Sequence, residues 1–337
     1  LHNAEKIAGM LRRDGLEIPV VYAGNVENRD EIGEIFGGLE RDDGPGGRGR
    51  SGRLYITENV YPRIDELNVT PTRAVIQEVF ERRITGGPGM EHIRERVDGP
   101  IVPTPGAVPM AAQLLQRVLG DLVVLDVGGA TTDVHSVTAG SEEVQRVMIA
   151  PEPKAKRTVE GDLGTYVNRR NILRGTDTDE IAARLGYAAG RDVRGGGARE
   201  ALEAALDALP AIPGTEEEVL LAEELTHLAA LQALKRHVGT YRSIYGPEGK
   251  KTVAEGKDLT AVKYVIATGG ALTRLPRREE ILRKVLADLP ATALAPPENA
   301  GLGFDTSYIM ASVGVLGKEY PDAAVKLLEE SIWPDRR

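Results

Sequence analysis

Leu122-Val-Val-Leu-Asp-Val-Gly-Gly-Ala-Thr-Thr-Asp133 decides how this chain is read. Val123, Val124 and Leu125 form a short apolar run with strand character. The run ends on the Asp126 carboxylate, turns through Gly128 and Gly129, and resumes beyond two hydroxyls and a second carboxylate. Glycines there permit a tight reversal and leave the backbone open to close approach. Val134 to Thr138 then alternates as a returning strand. Such a hairpin gathers backbone N–H groups, the Thr131 and Thr132 hydroxyls and the Asp126 and Asp133 carboxylates at one tip. The donors suit phosphate oxygens, whereas carboxylates repel them unless a hard cation such as Mg²⁺ lies between. The tip reads as a metal–phosphate cradle, with an ordinary Gly-Gly hairpin as the plainer alternative.

A second stretch, Val265-Ile-Ala-Thr-Gly-Gly-Ala271, is again a strand ending on a glycine pair, this time opening a helix. At Thr268, Gly269 and Gly270 a flat base and ribose have room against the backbone, and a helix N-terminus favours negative charge. Taken alone, this turn is also a common structural device.

Composition narrows the function classes. The 337 residues suffice for two domains with full cores, at 41% hydrophobic and 28% charged residues. Aromatic residues at 4% and a formal net charge of -9 argue against stacking platforms or a phosphate-backbone surface, so no nucleic-acid partner is expected. No apolar run is long enough to span a membrane, so no membrane partner is expected either. The absence of cysteine excludes disulfides, thiolate catalysis and Cys-ligated zinc. A cytoplasmic location is the expectation.

Mixed strands and helices predict an α/β fold. Strands are expected over 18–25, 54–57, 144–149 and 261–267. Helices are expected over 30–36, 70–83, 110–119, 177–185, 198–209, 278–286, 306–316 and 323–331, with a further helix starting at 159–164. Thr215 and Glu218 form a capping box that opens a long helix towards His237. Residues 37–53 read as a glycine-rich solvated loop, 100–109 and 151–157 as proline-rigid loops, the glycines 195–197 as a loop, and 250–258 as a charged connector. No internal repeat is visible.

The paired glycine turns resemble the phosphate-2 and adenosine motifs of the actin, Hsp70 and sugar kinase superfamily. Gly301-Leu-Gly-Phe-Asp305 with Ala311-Ser-Val-Gly-Val-Leu316 occupies the place of that superfamily's final connecting helix. Four blocks narrow the resemblance: Pro103-Thr-Pro-Gly-Ala-Val108, Asp126-Val-Gly-Gly-Ala-Thr-Thr-Asp-Val-His-Ser136, Lys156-Arg-Thr-Val-Glu-Gly-Asp-Leu-Gly164 and Gly256-Lys-Asp-Leu-Thr260. Together they resemble the glutamate mutase MutL family, also called GlmL. The resemblance implies an actin-like (ribonuclease H-like) two-lobe ATPase fold, ATP and Mg²⁺ as cofactors, and a chaperone or reactivating role. The implied partners are subunits of an adenosylcobalamin-dependent glutamate (methylaspartate) mutase, and a homo-oligomer is compatible. The implied domains are 1–120 as the rest of the N-terminal lobe, 121–300 as the nucleotide-binding lobe with a helical insertion about 165–258, and 301–337 as C-terminal helices returning to the first lobe. No second hairpin of the phosphate-1 type precedes Leu122, and the chain opens at Leu1 in what reads as mid-helix. A fragment lacking part of the N-terminal lobe, with impaired ATP hydrolysis, is therefore the expectation.

In the expected mechanism, Gly128, Gly129, Thr131 and Thr132 hold the β/γ-phosphates, while Thr268, Gly269 and Gly270 seat the adenosine. Asp126 is the catalytic residue, binding Mg²⁺ through water or orienting the attacking water. Asp133 is read two ways, as a second metal-side carboxylate or as a cap on the returning strand. His135 reads as a satisfied sheet histidine, and Glu160 and Asp162 as helix-start capping. Lys154, Lys156 and Arg157 read as a solvated loop rather than phosphate partners. His227 and His237 share no helix face and are not expected to pair on a metal. A small-molecule kinase of the same fold and a catalytically silent binding module are the competing functions.

Overall fold

The computed structural model describes residues 1–16, 18–37, 41–42, 54–63, 67–97, 101–102, 104–187, 197–246 and 249–334. The glycine-rich loop expected over 37–53 and the glycines at 195–196 lie almost wholly outside them. The chain divides into two compact units, 1–103 and 104–337.

In the first unit, helix α1 (His2–Arg13) precedes strand β1 (Val20–Tyr22) and helix α2 (Arg29–Ile35). Strands β2 (Arg41–Asp42) and β3 (Leu54–Ile56) complete a parallel sheet in the order β1-β3-β2. Helices α3 (Thr70–Thr85) and α4 (Met90–Arg94) follow. Ala4, Ala8 and Leu11 recur at helical spacing, so α1 buries one stripe against Ile32, Phe36 and Leu54.

The second unit opens with α5 (Thr104–Leu119), then β4 (Leu122–Val127) and β5 (Thr132–Val137). The helix α5 starts inside the segment expected to be an extended loop and carries Pro109 within it. Residues 142–145 form a short helix, α6 (Glu142–Gln145), capped by Ser141 Oγ accepting from the Val144 amide, where a strand over 144–149 was expected. Strand β6 (Ala155–Glu160) replaces both the expected loop over 151–157 and the expected helix start at 159. Helices α7 (Arg169–Ile172), α8 (Thr178–Arg184), α9 (Ala198–Ala208) and α10 (Glu216–His237) come next. The reciprocal Thr215–Glu218 capping box is present. Strands β7 (Thr240–Gly246) and β8 (Gly249–Glu255) form a two-stranded ribbon in place of the charged connector. The chain ends with β9 (Tyr264–Thr268), α11 (Gly270–Arg274), α12 (Arg278–Ala287), β10 (Gly301–Phe304), α13 (Met310–Leu316) and α14 (Pro321–Ile332).

Five strands make the central mixed sheet, ordered β10-β9-β4-β5-β6. Strands β10, β9 and β4 run parallel, while β4–β5 and β5–β6 pair antiparallel. Period-two alternation splits the core. Val123, Leu125, Val127, Val134 and Val265 face α10 and its neighbours, whereas Leu122, Val124, Val137 and Ile266 face residues of α5, α13 and α14. Both faces are covered, which is why β4 reads as an unbroken apolar run. The α/β expectation holds. The sequence-based division falls at 120/121, whereas the compact units meet at 103/104, so α5 lies with the sheet it covers. Among the described residues, no helix is long and apolar enough to cross a membrane.

Candidate functional site

The parallel register of β4 on β9 sets Asp126 beside Thr268, and that of β9 on β10 sets Ala267 beside Phe304. Three neighbouring strands thus deliver Asp126, Thr268 and Asp305 to one carboxyl edge, where ligands bind open α/β sheets. Asp126 continues the alternation of Leu122 and Val124, so it lies on the sheet face covered by α5, α13 and α14.

The two glycine turns meet at that edge. Gly269 has φ +86°, and a Cβ there would stand 2.6 Å from Asp126 Oδ1 and collide with the Val127 backbone. Only glycine fits, and its fit brings the second turn against the first. Gly270 is exposed with open space around it. The helix that follows has five residues, too few for the dipole contribution expected of it.

Asp126 and Asp133 are directly opposed in the β4–β5 pair. Arg157, on β6, donates to Asp133 Oδ1 from Nη2 at 2.9 Å, and Thr131 Oγ1 donates to Asp133 Oδ2 at 3.0 Å. Among the described residues, no donor reaches the Asp126 carboxylate. Burial pushes its pKa up to about 6, reinforced by Asp133 and Asp305 and opposed by Arg157. Asp305 is fully buried and saturated: it accepts from Thr268 Oγ1 at 3.0 Å, Ser331 Oγ at 2.6 Å and the amides of Ile309 and Met310 at 3.1 and 2.9 Å. Tyr308, at φ 54°, is the one non-glycine residue with positive φ among those described, and its hydroxyl is pushed up by burial, Asp126 and Asp305.

The expected phosphate donors divide into free and engaged. The Gly128 amide donates to Thr131 O at 2.9 Å, and the fully buried Thr132 hydroxyl donates to Leu163 O at 2.7 Å. Thr131 Oγ1 is turned to Asp133. Gly129 and Ala130 are exposed, and their amides find no acceptor among the described residues.

Several neighbouring expectations need correction. Glu160 and Asp162 are not helix-start caps; both receive Arg236, at 2.5 and 2.7 Å. Lys154, Lys156 and Arg157 belong to or adjoin an edge strand rather than a solvated loop, with Lys156 held by Glu152 at 3.1 Å. His135 is not satisfied: it is buried, and its Nδ1 finds no hydrogen-bond partner among the described residues. Burial and Arg157 lower its pKa to about 3, so it is neutral. His237 lies between Thr158 Oγ1 at 2.9 Å and Ser136 Oγ at 2.8 Å, while His227 contacts Asp288 at 2.9 Å, so the two histidines are apart as expected. Among the described residues, no group of three or more His, Cys, Asp or Glu side chains is arranged to hold a metal ion.

From sequence, no role is assigned to Asp305 or Tyr308, and Arg157 reads as part of a solvated loop rather than as the partner of Asp133. Asp305 ahead of an apolar helix carries a legible N-cap signal. Arg157 and Tyr308 carry none, because strand pairing and backbone conformation create their roles.

The profile of the family described as MutL protein matches residues 1–332. The chain is 34% identical over 339 aligned residues to Protein MutL of Clostridium tetanomorphum, an alignment covering 98% of this chain and 69% of that protein. With the match running through both units and all four motif blocks, the chain belongs to the MutL family.

Proposed function

We propose that the chain is an ATP-binding accessory protein with an actin-like ATPase fold, serving as a cytoplasmic chaperone or reactivating factor for adenosylcobalamin-dependent glutamate mutase. The observation that carries this reading is the register of Asp126 on Thr268, with Gly269 packed against the Asp126 carboxylate. Gripping a nucleotide at both ends requires two turns at one sheet edge; this register supports that reading by bringing the second turn against the first, with Gly129, Ala130 and Gly270 exposed. In this reading the triphosphate lies at the hairpin tip, with the adenosine along Thr268, Gly269 and Gly270. Mg²⁺ usually takes one or two carboxylates together with substrate phosphates, a role that Asp126, with Asp133 directly opposite, would fill. Asp126 is the metal-side carboxylate, with Asp133 behind it adding negative potential although tied to Arg157.

Bound MgATP supplies the free energy of phosphoryl transfer to water. The chain's own contribution is to position: Asp126 Oδ would bind Mg²⁺ through water or orient the attacking water. The motif blocks shared with the glutamate mutase MutL family support the mutase as partner.

A reactivation assay on the natural full-length protein tests the reading. Mutase inactivated by turnover is mixed with fresh adenosylcobalamin, MgATP and the protein. Recovery should require both ATP and the protein, and Asp126→Asn should slow ATP turnover about 10²-fold or more. Recovery without ATP, or none in the presence of a folded protein that binds ATP, overturns the assignment.

A further inference from the structure

Three successive carbonyls of the hairpin tip, those of Gly128, Gly129 and Ala130, are held by the segment that follows β6. Gly128 O accepts the Thr165 amide at 3.1 Å and Thr165 Oγ1 at 3.3 Å. Gly129 O accepts the amides of Tyr166 and Val167 at 2.9 and 2.7 Å. Ala130 O accepts Asn168 Nδ2 at 3.0 Å. The holding segment is itself fastened, because Asn168 Nδ2 also donates to Gly161 O at 2.7 Å and the Asn168 amide to Gly164 O at 3.1 Å. Contact is close enough that a Cβ on Gly164 would fall onto the Ala130 carbonyl.

In a trans peptide the C=O and N–H point in opposite directions, and no peptide among the described residues is cis. Drawing three successive carbonyls to one side therefore turns the amides of Gly129, Ala130 and Thr131 to the other. Those three amides have no acceptor among the described residues. Successive N–H groups aimed the same way form an anion-binding concavity. The remaining donors at the tip are already engaged: the Gly128 amide by Thr131 O, and the Thr131 and Thr132 hydroxyls by Asp133 and Leu163.

We infer that residues 164–168 are a brace that fixes the amides of Gly129, Ala130 and Thr131 as a preorganised nest for a polyphosphate, with Asn168 as the positioning residue. The identity of the ligand as a nucleotide rests on the proposed function; the nest itself does not. Asn168 touches no ligand in this account and acts only through Ala130.

Titration calorimetry on the natural full-length protein tests the brace, with MgATP, inorganic tripolyphosphate and adenosine as probes. Two variants are compared: Asn168→Ala removes the strut, and Ala130→Pro deletes one nest amide directly. Each should weaken MgATP and tripolyphosphate on the order of tenfold and leave adenosine unchanged, Ala130→Pro by losing a charge-assisted hydrogen bond to the anion and Asn168→Ala by loosening the nest. A merely structural residue would weaken adenosine in parallel. Equal binding of all three probes by parent and variants, or parallel loss of adenosine, overturns the inference. A parent that binds tripolyphosphate but neither ATP nor adenosine keeps the nest and removes the nucleotide reading instead. A parent that binds none of the three removes both.

Discussion

Asp126 and Asp133 face one another in register, and like charges directly opposed across an antiparallel pair repel. Two features relieve the conflict. Arg157 pairs with Asp133 at 2.9 Å, and Asp126 takes up a proton more readily, its pKa pushed from an ordinary 3.8 to about 6 by burial first and by Asp133 and Asp305 after it. A carboxyl whose folded pKa is raised contributes its full stability below its unfolded pKa and loses it as pH rises through the folded value. Ionised Asp126 therefore costs stability above about pH 6, on the order of 2–3 kcal/mol from a shift of this size. Asp126→Asn cannot ionise and escapes that cost. Thermal unfolding at pH 8 should show the variant more stable than its parent, and at pH 4 the gap should close. A variant less stable than its parent at pH 8 would show that Asp126 serves the fold rather than the site. The strained backbone of Tyr308, beside the same carboxylates, fits a place where fold stability has yielded to position.

At the scale of elements, the far end of the β5–β6 pair depends on a single buried cation. Lys257, just beyond β8, is 2% exposed, and its Nζ donates to the carbonyls of Thr138, Pro153 and Lys154 at 2.8, 2.6 and 3.1 Å. It ties the end of β5 to the approach of β6, and burial lowers its pKa. Asp258 beside it accepts from the Ser141 and Thr260 amides at 2.7 and 2.8 Å, fastening the turn that follows β5. The Gly-Lys-Asp block is thus a brace for the strand that carries Asp133, and has no contact with the cradle in the residues it binds. Lys257→Met keeps much of the side-chain volume but withdraws the Nζ donor from three carbonyls, of which Lys154 O keeps the Thr138 amide at 3.0 Å. It should lower the unfolding free energy by about 3 kcal/mol or more, read as a lower urea midpoint. An unchanged midpoint would remove Lys257 from this role.

Across the whole molecule, legibility followed burial. Strands β4 and β9 are covered on both faces and announced themselves as apolar runs, and α10 announced itself by length and its capping box. Strand β6 did not, because an edge strand of Lys, Arg, Thr and Glu alternates without hydrophobic contrast. The β7–β8 ribbon is exposed along most of its length, so its lysines resembled a connector. Asp126, Gly129 and Gly269 were visible as types demanded by a local turn. Arg157, Asn168 and Asp305 act through partners 24, 38 and 37 residues away, a proximity that only the sheet creates. Thr132 differs from its expected role for the same reason, since Leu163 claims its hydroxyl across 31 residues. The central claim is that one strand edge of the second unit holds ATP between two glycine turns. Photolabelling of the full-length protein with 8-azido-ATP, followed by peptide mapping, tests it most directly. The account predicts saturable labelling, competed by ATP, confined to the peptides around Thr268–Arg274 and Asp305–Tyr308. Labelling that ATP does not compete, or that falls on α9 or the β7–β8 ribbon, would contradict it.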